Sequence, residues 1–148
     1  MMTTGSRIAS ISRWHVLFGL CFAVLGMALG IFMAISKNHA QHVTHAHVLL
    51  LGFVVSVLYG VIYRLWLPSA SARVATVQTG LHQVGSVMIV VGLFLLFKGV
   101  APEDTLEPLM ATGSIAVISS AIVMLYQVAR AGHPRSAAAA ETLAPAKS

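Results

Sequence analysis

Histidine is the residue type of this chain that is best suited to chemistry, and its spacing is uneven. Four of the seven histidines fall between positions 39 and 47, at the start of an apolar run that covers residues 43–63. They are His39, His42, His45 and His47. Neutral imidazole is a common ligand of haem iron, copper and zinc, and ionisable side chains are costly in hydrocarbon. The cluster therefore predicts a metal or haem site at one end of a membrane helix, with these four residues as candidate ligands.

The spacing of this cluster limits how its members share a ligand. On an ideal helix, residues three apart differ by about 60° in direction and residues two apart by about 200°. His42 and His45 then share a face, whereas His47 points away from His45. A His-x-His pair of this kind serves two sites on opposite sides of the helix more readily than it clamps one ion. The alternative is that each histidine only caps, hydrogen-bonds or reaches to the membrane surface, and His42 suits that alternative best.

Three further histidines lie outside the cluster. His82 falls about 12 Å into the third apolar run, so it is expected to be a ligand or, alternatively, to form a polar relay with neighbouring glutamines. Its run starts from the other side of the membrane, so His82 is expected to lie about 10 Å or more in depth from His45 and His47. His15 follows Trp14 and is expected to anchor the first helix at the interface. His133 is expected to lie in a solvated tail.

Composition indicates which elements hold the cluster. Hydrophobic residues make up 57% and charged residues 9% of the chain, far from the average of soluble proteins. Four runs without Lys, Arg, Asp or Glu, each near the roughly 20 residues that cross a bilayer, cover residues 14–35, 43–63, 74–97 and 108–128. We predict an all-α membrane domain of four transmembrane helices at 13–131. A polar N-terminus (1–12) precedes it, and a disordered C-terminal tail (132–148) follows.

Basic residues predict the orientation of these helices. Seven of the nine lie near the termini or in the second connection, namely Arg7, Arg13, Arg64, Arg73, Arg130, Arg135 and Lys147. The positive-inside rule then places both termini and the 64–73 connection in the cytoplasm. The histidine cluster and the acidic segment 103–107 are expected on the opposite side. A net charge of +5 that is distributed in this way requires no nucleic-acid partner.

Small residues predict close packing between helices. Gly26 and Gly30 form a small-x-x-x-small pair, a pattern that brings backbones together both within a bundle and between subunits. The sequence leaves these two uses open. Cys21 has no second thiol with which to pair, so disulfides within the chain and thiolate metal clusters are excluded.

The order of motifs from the first helix to the fourth resembles that of small four-helix bacterial membrane proteins related to subunit I of the haem-copper oxidases. The matching pattern is a His before His-Ala-His, then Leu-Gly-aromatic, Tyr-Arg, a Pro, and a Leu-His in the third helix. Its positions here are His39, His45, His47, Gly52, Phe53, Tyr63, Arg64, Pro68 and His82. Nitric-oxide-response membrane proteins carry a similar His-Ala-His segment. His42 departs from the pattern.

The resemblance implies an architecture and a set of ligands. The oxidase subunit has twelve helices in three four-helix arcs, so a four-helix relative is expected to rebuild that ring as a homotrimer in the bacterial inner membrane. His45 and His47 become candidate ligands of haem b and copper, with His82 on the following helix. A threefold axis would also let one histidine per subunit contribute to a three-histidine copper site.

The function expected from this resemblance is electron transfer, or binding of O₂ or NO, at haem b with copper as a second metal. A redox partner or a diatomic gas would then be the partner. A proton-pumping oxidase is not expected, because no acidic residue lies inside a helix and Tyr59, Tyr63 and Tyr126 have no evident histidine partner at the spacing of a covalent His–Tyr cross-link. The alternatives are a copper or haem transport and assembly factor, and a structural membrane protein whose histidines only hydrogen-bond.

Overall fold

Four long helices make up the structure, a computed structural model that describes residues 4–131. They are α1 (Thr4–Ser36), α2 (His42–Leu65), α3 (Ala72–Lys98) and α4 (Glu103–Arg130). Each is long and apolar enough to cross a membrane, and no β-strand occurs within residues 4–131. The predicted all-α fold with four transmembrane helices is therefore confirmed, and the chain is a multi-pass membrane protein. The tail at 132–148, with His133, lies outside the described residues.

The first helix begins earlier than its apolar run. It starts at Thr4, so the polar stretch that precedes the run is helical from that residue onward. Contacts to α2 explain this start. Ile8 is buried in a cluster with Tyr63, and the Ser12 hydroxyl donates a 2.8 Å hydrogen bond to the Gly60 carbonyl.

Polar and small side chains fill the interior, and large aliphatic side chains cover the outside. Ser56, Gln78 and His82 are each 0% exposed, whereas Ile35 is 79% and Leu125 is 70% exposed. In water this distribution would be costly, because it exposes apolar surface and buries polar groups. In a bilayer the lipid tails solvate the aliphatic side chains, and the polar ones pair between helices. The burial pattern thus agrees with the membrane assignment.

Glycines allow close contact between α1 and α2 and between α3 and α4. On α1, Gly26 packs against the Leu49 side chain of α2, and Gly30 packs against His45. The small-x-x-x-small pair that the sequence left open is therefore used for packing within the chain. On α3 and α4, a Cβ built at Gly85 would lie 2.7 Å from the carbonyl oxygen of Gly113. Larger residues at these crossings would force the helices apart.

A π-helical segment interrupts α2. Residues His42–His47 are α-helical, Val48–Val55 form a π-helix, and Ser56–Leu65 are α-helical again. A π-helix pairs each residue with the fifth along the chain, so it turns less per residue than an α-helix. The π-helix therefore rotates the side chains that follow it about the helix axis, and Ser56 and Tyr63 lie on the buried side. No feature of the sequence predicted this segment.

Candidate functional site

The start of α2, which carries the predicted ligands, is attached to the end of α3. Gln41 is buried, and its side-chain amide donates a 3.1 Å hydrogen bond to the carbonyl of Phe94. The amide oxygen of Gln41 accepts a 2.7 Å hydrogen bond from the hydroxyl of Thr44. Thr44 is itself buried. These bonds hold the first turn of α2 in place even though no side chain caps it.

Three of the four clustered histidines have the same ring nitrogen occupied. Nδ1 lies 3.0 Å from the His39 carbonyl oxygen in His42, 3.0 Å from that of Gly26 in His45, and 2.9 Å from that of Val43 in His47. A carbonyl oxygen only accepts hydrogen bonds, so each Nδ1 carries the proton. Nε2 of each ring therefore presents a lone pair. This is the tautomer in which a histidine commonly binds a metal through Nε2.

The four side chains differ in exposure and direction. His39 and His42 are exposed, whereas His45 and His47 are half-buried. His45 faces α1, since a Cβ built at Gly30 would lie 3.0 Å from its Cε1 atom, while the Nδ1 bond of His47 stays within its own helix. Across the described chain, no three His, Cys, Asp or Glu side chains lie close enough together to hold one metal ion. The cluster is therefore a row of separate imidazoles within one chain.

A second group of histidines lies in the centre of the bundle. His15 of α1 and His82 of α3 are both 0% exposed, and their ring centroids are 6.0 Å apart. The Tyr59 ring lies edge-on to both, with centroid distances of 4.9 Å to His82 and 5.8 Å to His15. Tyr63 stacks on His15 at 5.9 Å. One expectation is thus wrong, because His15 lies inside the bundle and is not an interfacial anchor. Tyr59 and Tyr63 are ring neighbours of the central histidines.

The hydrogen bonds of His15 define its tautomer. Its Nε2 lies 3.3 Å from the side-chain oxygen of Gln78 and 3.0 Å from the hydroxyl oxygen of Thr79. The Gln78 amide oxygen can only accept, and the Thr79 hydroxyl already donates to the carbonyl of Ala75. Both oxygens therefore accept hydrogen bonds from the His15 ring. The proton of His15 therefore lies on Nε2. Its Nδ1 has a bare lone pair and no hydrogen-bond partner.

His82 of α3 has the same arrangement against α2. Its Nε2 lies 2.9 Å from the hydroxyl oxygen of Ser56, and the Ser56 hydroxyl donates to the carbonyl of Leu51. Toward His82 the Ser56 oxygen is therefore the acceptor, so Nε2 of His82 carries the proton. Its Nδ1 has no partner. His82 is deeply buried, as expected, and forms a hydrogen bond to another helix, which was the alternative to a ligand role. Its role as a ligand stays a prediction.

Gln78 connects this central group to the rest of the bundle. Its side-chain oxygen accepts a 3.1 Å hydrogen bond from the Tyr63 hydroxyl, and its nitrogen donates a 3.0 Å bond to the hydroxyl of Ser120 on α4. Gln127 donates a 3.0 Å bond to the same Tyr63 hydroxyl. With His15 on α1, side chains of all four helices meet at one glutamine. Such a network holds the helices in a unique register.

The structure keeps the two histidine groups apart. His82 bonds to Ser56, which follows His47 by nine positions along α2. At about 1.5 Å per helical residue, these nine positions correspond to about 13 Å along the helix, so the two groups differ in depth by roughly 10 Å or more. His82 is thus brought together with His15, and not with His45 and His47. Any ligand held by His45 or His47 belongs to a different site from any ligand held by His82.

His15 is the residue of the central group that the sequence reasoning missed. A usable signal was present, because Ser12, His15, Gly19, Phe22 and Gly26 recur at the spacing of a heptad stripe. All five are buried in the structure. Reading His15 as part of the glycine face, and not with the neighbouring Trp14, would have placed it inside the bundle. Trp14 is 63% exposed.

Comparisons with known proteins leave the resemblance as a prediction, since no family model, no curated protein and no solved structure matches this chain.

Proposed function

We propose that this chain is a haem b- and copper-binding membrane protein of haem-copper oxidase type, acting in electron transfer or in binding O₂ or NO. His45 and His47 are the proposed nitrogen ligands. One observation carries the proposal: the Nδ1 proton of each is held by a backbone carbonyl, which leaves Nε2 free as a ligand atom. Metal-binding histidines are commonly oriented by such a bond.

The surroundings of these two residues fit a haem or copper ligand. Both side chains are half-buried near the start of α2, and the eight residues that follow, Val48–Val55, are all apolar or glycine. Apolar surroundings exclude water and lower the local dielectric, which tunes a bound metal. The described part of one chain gathers too few ligands for a complete coordination sphere. A homotrimer supplies the missing ligands, because each subunit would present the same histidine toward a common axis.

The protein's own part in the chemistry is orientation and exclusion. When bound, haem would supply a one-electron redox couple and the capacity to bind a diatomic gas. The Gly26 carbonyl fixes the tautomer and direction of His45, and the Val43 carbonyl does the same for His47. His39 and His42 are exposed beside them, where copper could bind first. We place the protein in the bacterial inner membrane with both termini in the cytoplasm, in line with the clustering of basic residues.

The visible spectrum of protein purified without chelators tests this function. A Soret band and a reducible α band are expected, and His47→Ala or His45→Ala should remove or strongly shift them because a proposed ligand of the haem is lost. His133→Ala is the matched control and should leave the spectrum unchanged. A colourless preparation without bound metal would contradict the proposal.

The exposure of His39 and His42 favours one second candidate, a copper or haem transport and assembly factor of the inner membrane. Exposed imidazoles exchange a ligand more readily than buried ones. A colourless protein that binds copper and releases it to a competing chelator within minutes would support this candidate over the first. Retention of a reducible haem through purification would exclude it.

A further inference from the structure

The central histidines and their neighbours contain polar atoms without partners, deep inside the bundle. Nδ1 of His15 and Nδ1 of His82 have no hydrogen-bond partner, and neither has the hydroxyl oxygen of Ser86, one turn beyond His82. All three side chains are 0% exposed. Buried polar atoms in native proteins are nearly always paired, so an unpaired group calls for a bound species that completes it.

Each of the two unpaired ring nitrogens carries a lone pair and no proton. The proton of each imidazole is held on Nε2, by Gln78 and Thr79 in His15 and by the Ser56 hydroxyl in His82. Neither ring can donate through Nδ1 without losing its existing bond. The missing species must therefore be a hydrogen donor or a cation.

The separation of the two rings suits a single ion. Their centroids are 6.0 Å apart, and a metal–nitrogen bond is about 2 Å long. One ion bonded to one nitrogen of each ring needs the two nitrogens about 4 Å apart, a separation that rings at this centroid distance reach when the two nitrogens face each other. The Tyr59 ring, edge-on to both imidazoles, covers the pair.

We propose that His15 and His82 bind one Cu(I) ion between their Nδ1 atoms. No third His, Cys, Asp or Glu joins them in the described chain, whereas Zn(II) takes four ligands. Cu(I) is a closed-shell ion that is stable with two nitrogen ligands in line, and imidazole suits copper. The cost of burying an ion rises with the square of its charge, so an apolar bundle favours a monovalent ion over a divalent one.

This site is separate from His45 and His47 and does not rest on their proposed role. A water molecule that donates one hydrogen to each Nδ1 is the competing occupant. The two occupants differ in one measurable property, since a water site takes up no copper.

Titration of the full-length protein with Cu(I) against a colorimetric Cu(I) chelator, in detergent and without oxygen, tests the proposal. The starting variant replaces His39, His42, His45 and His47 by Gln, which removes the histidine cluster at the start of α2. It should still bind one Cu(I) per chain. Adding His15→Gln or His82→Gln should weaken binding by roughly 100-fold or more, since even partners outside the ligand shell contribute 10- to 100-fold. His133→Gln in the same background is the matched control and should change nothing.

X-ray absorption of the Cu(I)-loaded starting variant avoids any question of whether core variants fold. Two nitrogen neighbours at about 2 Å are expected. Four ligands, or a sulfur neighbour, would overturn the assignment. So would a starting variant that takes up no Cu(I), or core variants that bind it as tightly. The starting variant lacks all four histidines of the cluster at the start of α2. Failure of the haem proposal would therefore leave the Cu(I) result unchanged.

Discussion

The two histidine groups of this protein are built in opposite ways. At the start of α2 the imidazoles are exposed or half-buried, and backbone carbonyls hold Nδ1 and leave Nε2 free. In the centre, His15 and His82 are fully buried, side chains hold Nε2, and Nδ1 is left free. The first group suits exchange with the outside of the bundle or with a second subunit. The second suits a ligand enclosed by a single chain.

The difference also separates function from stability. The central group is part of a hydrogen-bond network that involves all four helices through Gln78. The group at the start of α2 is bonded mainly to nearby backbone. A substitution in the centre therefore disturbs the packing of the bundle, whereas one at His42 or His47 changes little beyond the side chain itself. The following three predictions test this contrast, in order of decreasing effect.

Chemical accessibility should show the largest difference. In metal-free protein, diethyl pyrocarbonate should acylate His39 and His42 at least about tenfold faster than His15 and His82, because a buried ring reacts only when the bundle opens locally. Peptide mass spectrometry of samples quenched at successive times measures the rate at each histidine. Equal rates at the two groups would mean that the central group is open to solvent, which contradicts the burial described above.

Gln78→Leu should destabilise the bundle. Leucine has a similar size but removes the bonds to Tyr63, Ser120 and His15. Hydrogen bonds inside membranes average about 0.6 kcal/mol each, so the free energy of unfolding should fall by about 2 kcal/mol. Unfolding in mixed micelles with increasing dodecyl sulfate measures this. His42→Ala is the control and should stay within about 0.5 kcal/mol of the parent. Equal losses in the two variants would refute the contrast.

Tyr63→Phe should have a smaller effect of the same kind. It removes one hydroxyl, which donates to Gln78 and accepts from Gln127, but keeps the ring that stacks on His15. A loss of about 1 kcal/mol in the free energy of unfolding is expected. The same micelle titration measures it. A loss as large as that of Gln78→Leu would show that the hydroxyl, and not the glutamine, is the central element of the network.

Much of the fold could be predicted from local pattern. Apolar runs of membrane-spanning length determine four helices whatever their neighbours are, because an unpaired backbone is intolerable in lipid. The helical spacing of His42–His47 likewise determines that His45 and His47 point in different directions. The depth of His82 followed from its distance to the start of its run, and its burial is confirmed.

Only the tertiary structure decided which helix faces meet. A heptad stripe shows that His15 shares a face with Gly19 and Gly26, but it does not say which helix that face contacts. The close approach of α1 to α2 at Gly26 and Gly60, and the π-helix at Val48–Val55, together turn Ser56 and Tyr59 toward the centre. These features depend on contacts between residues that are far apart in the chain, such as Ser56 and His82. Sequence alone therefore determined that histidines lie in the membrane, and packing determined that two of them meet.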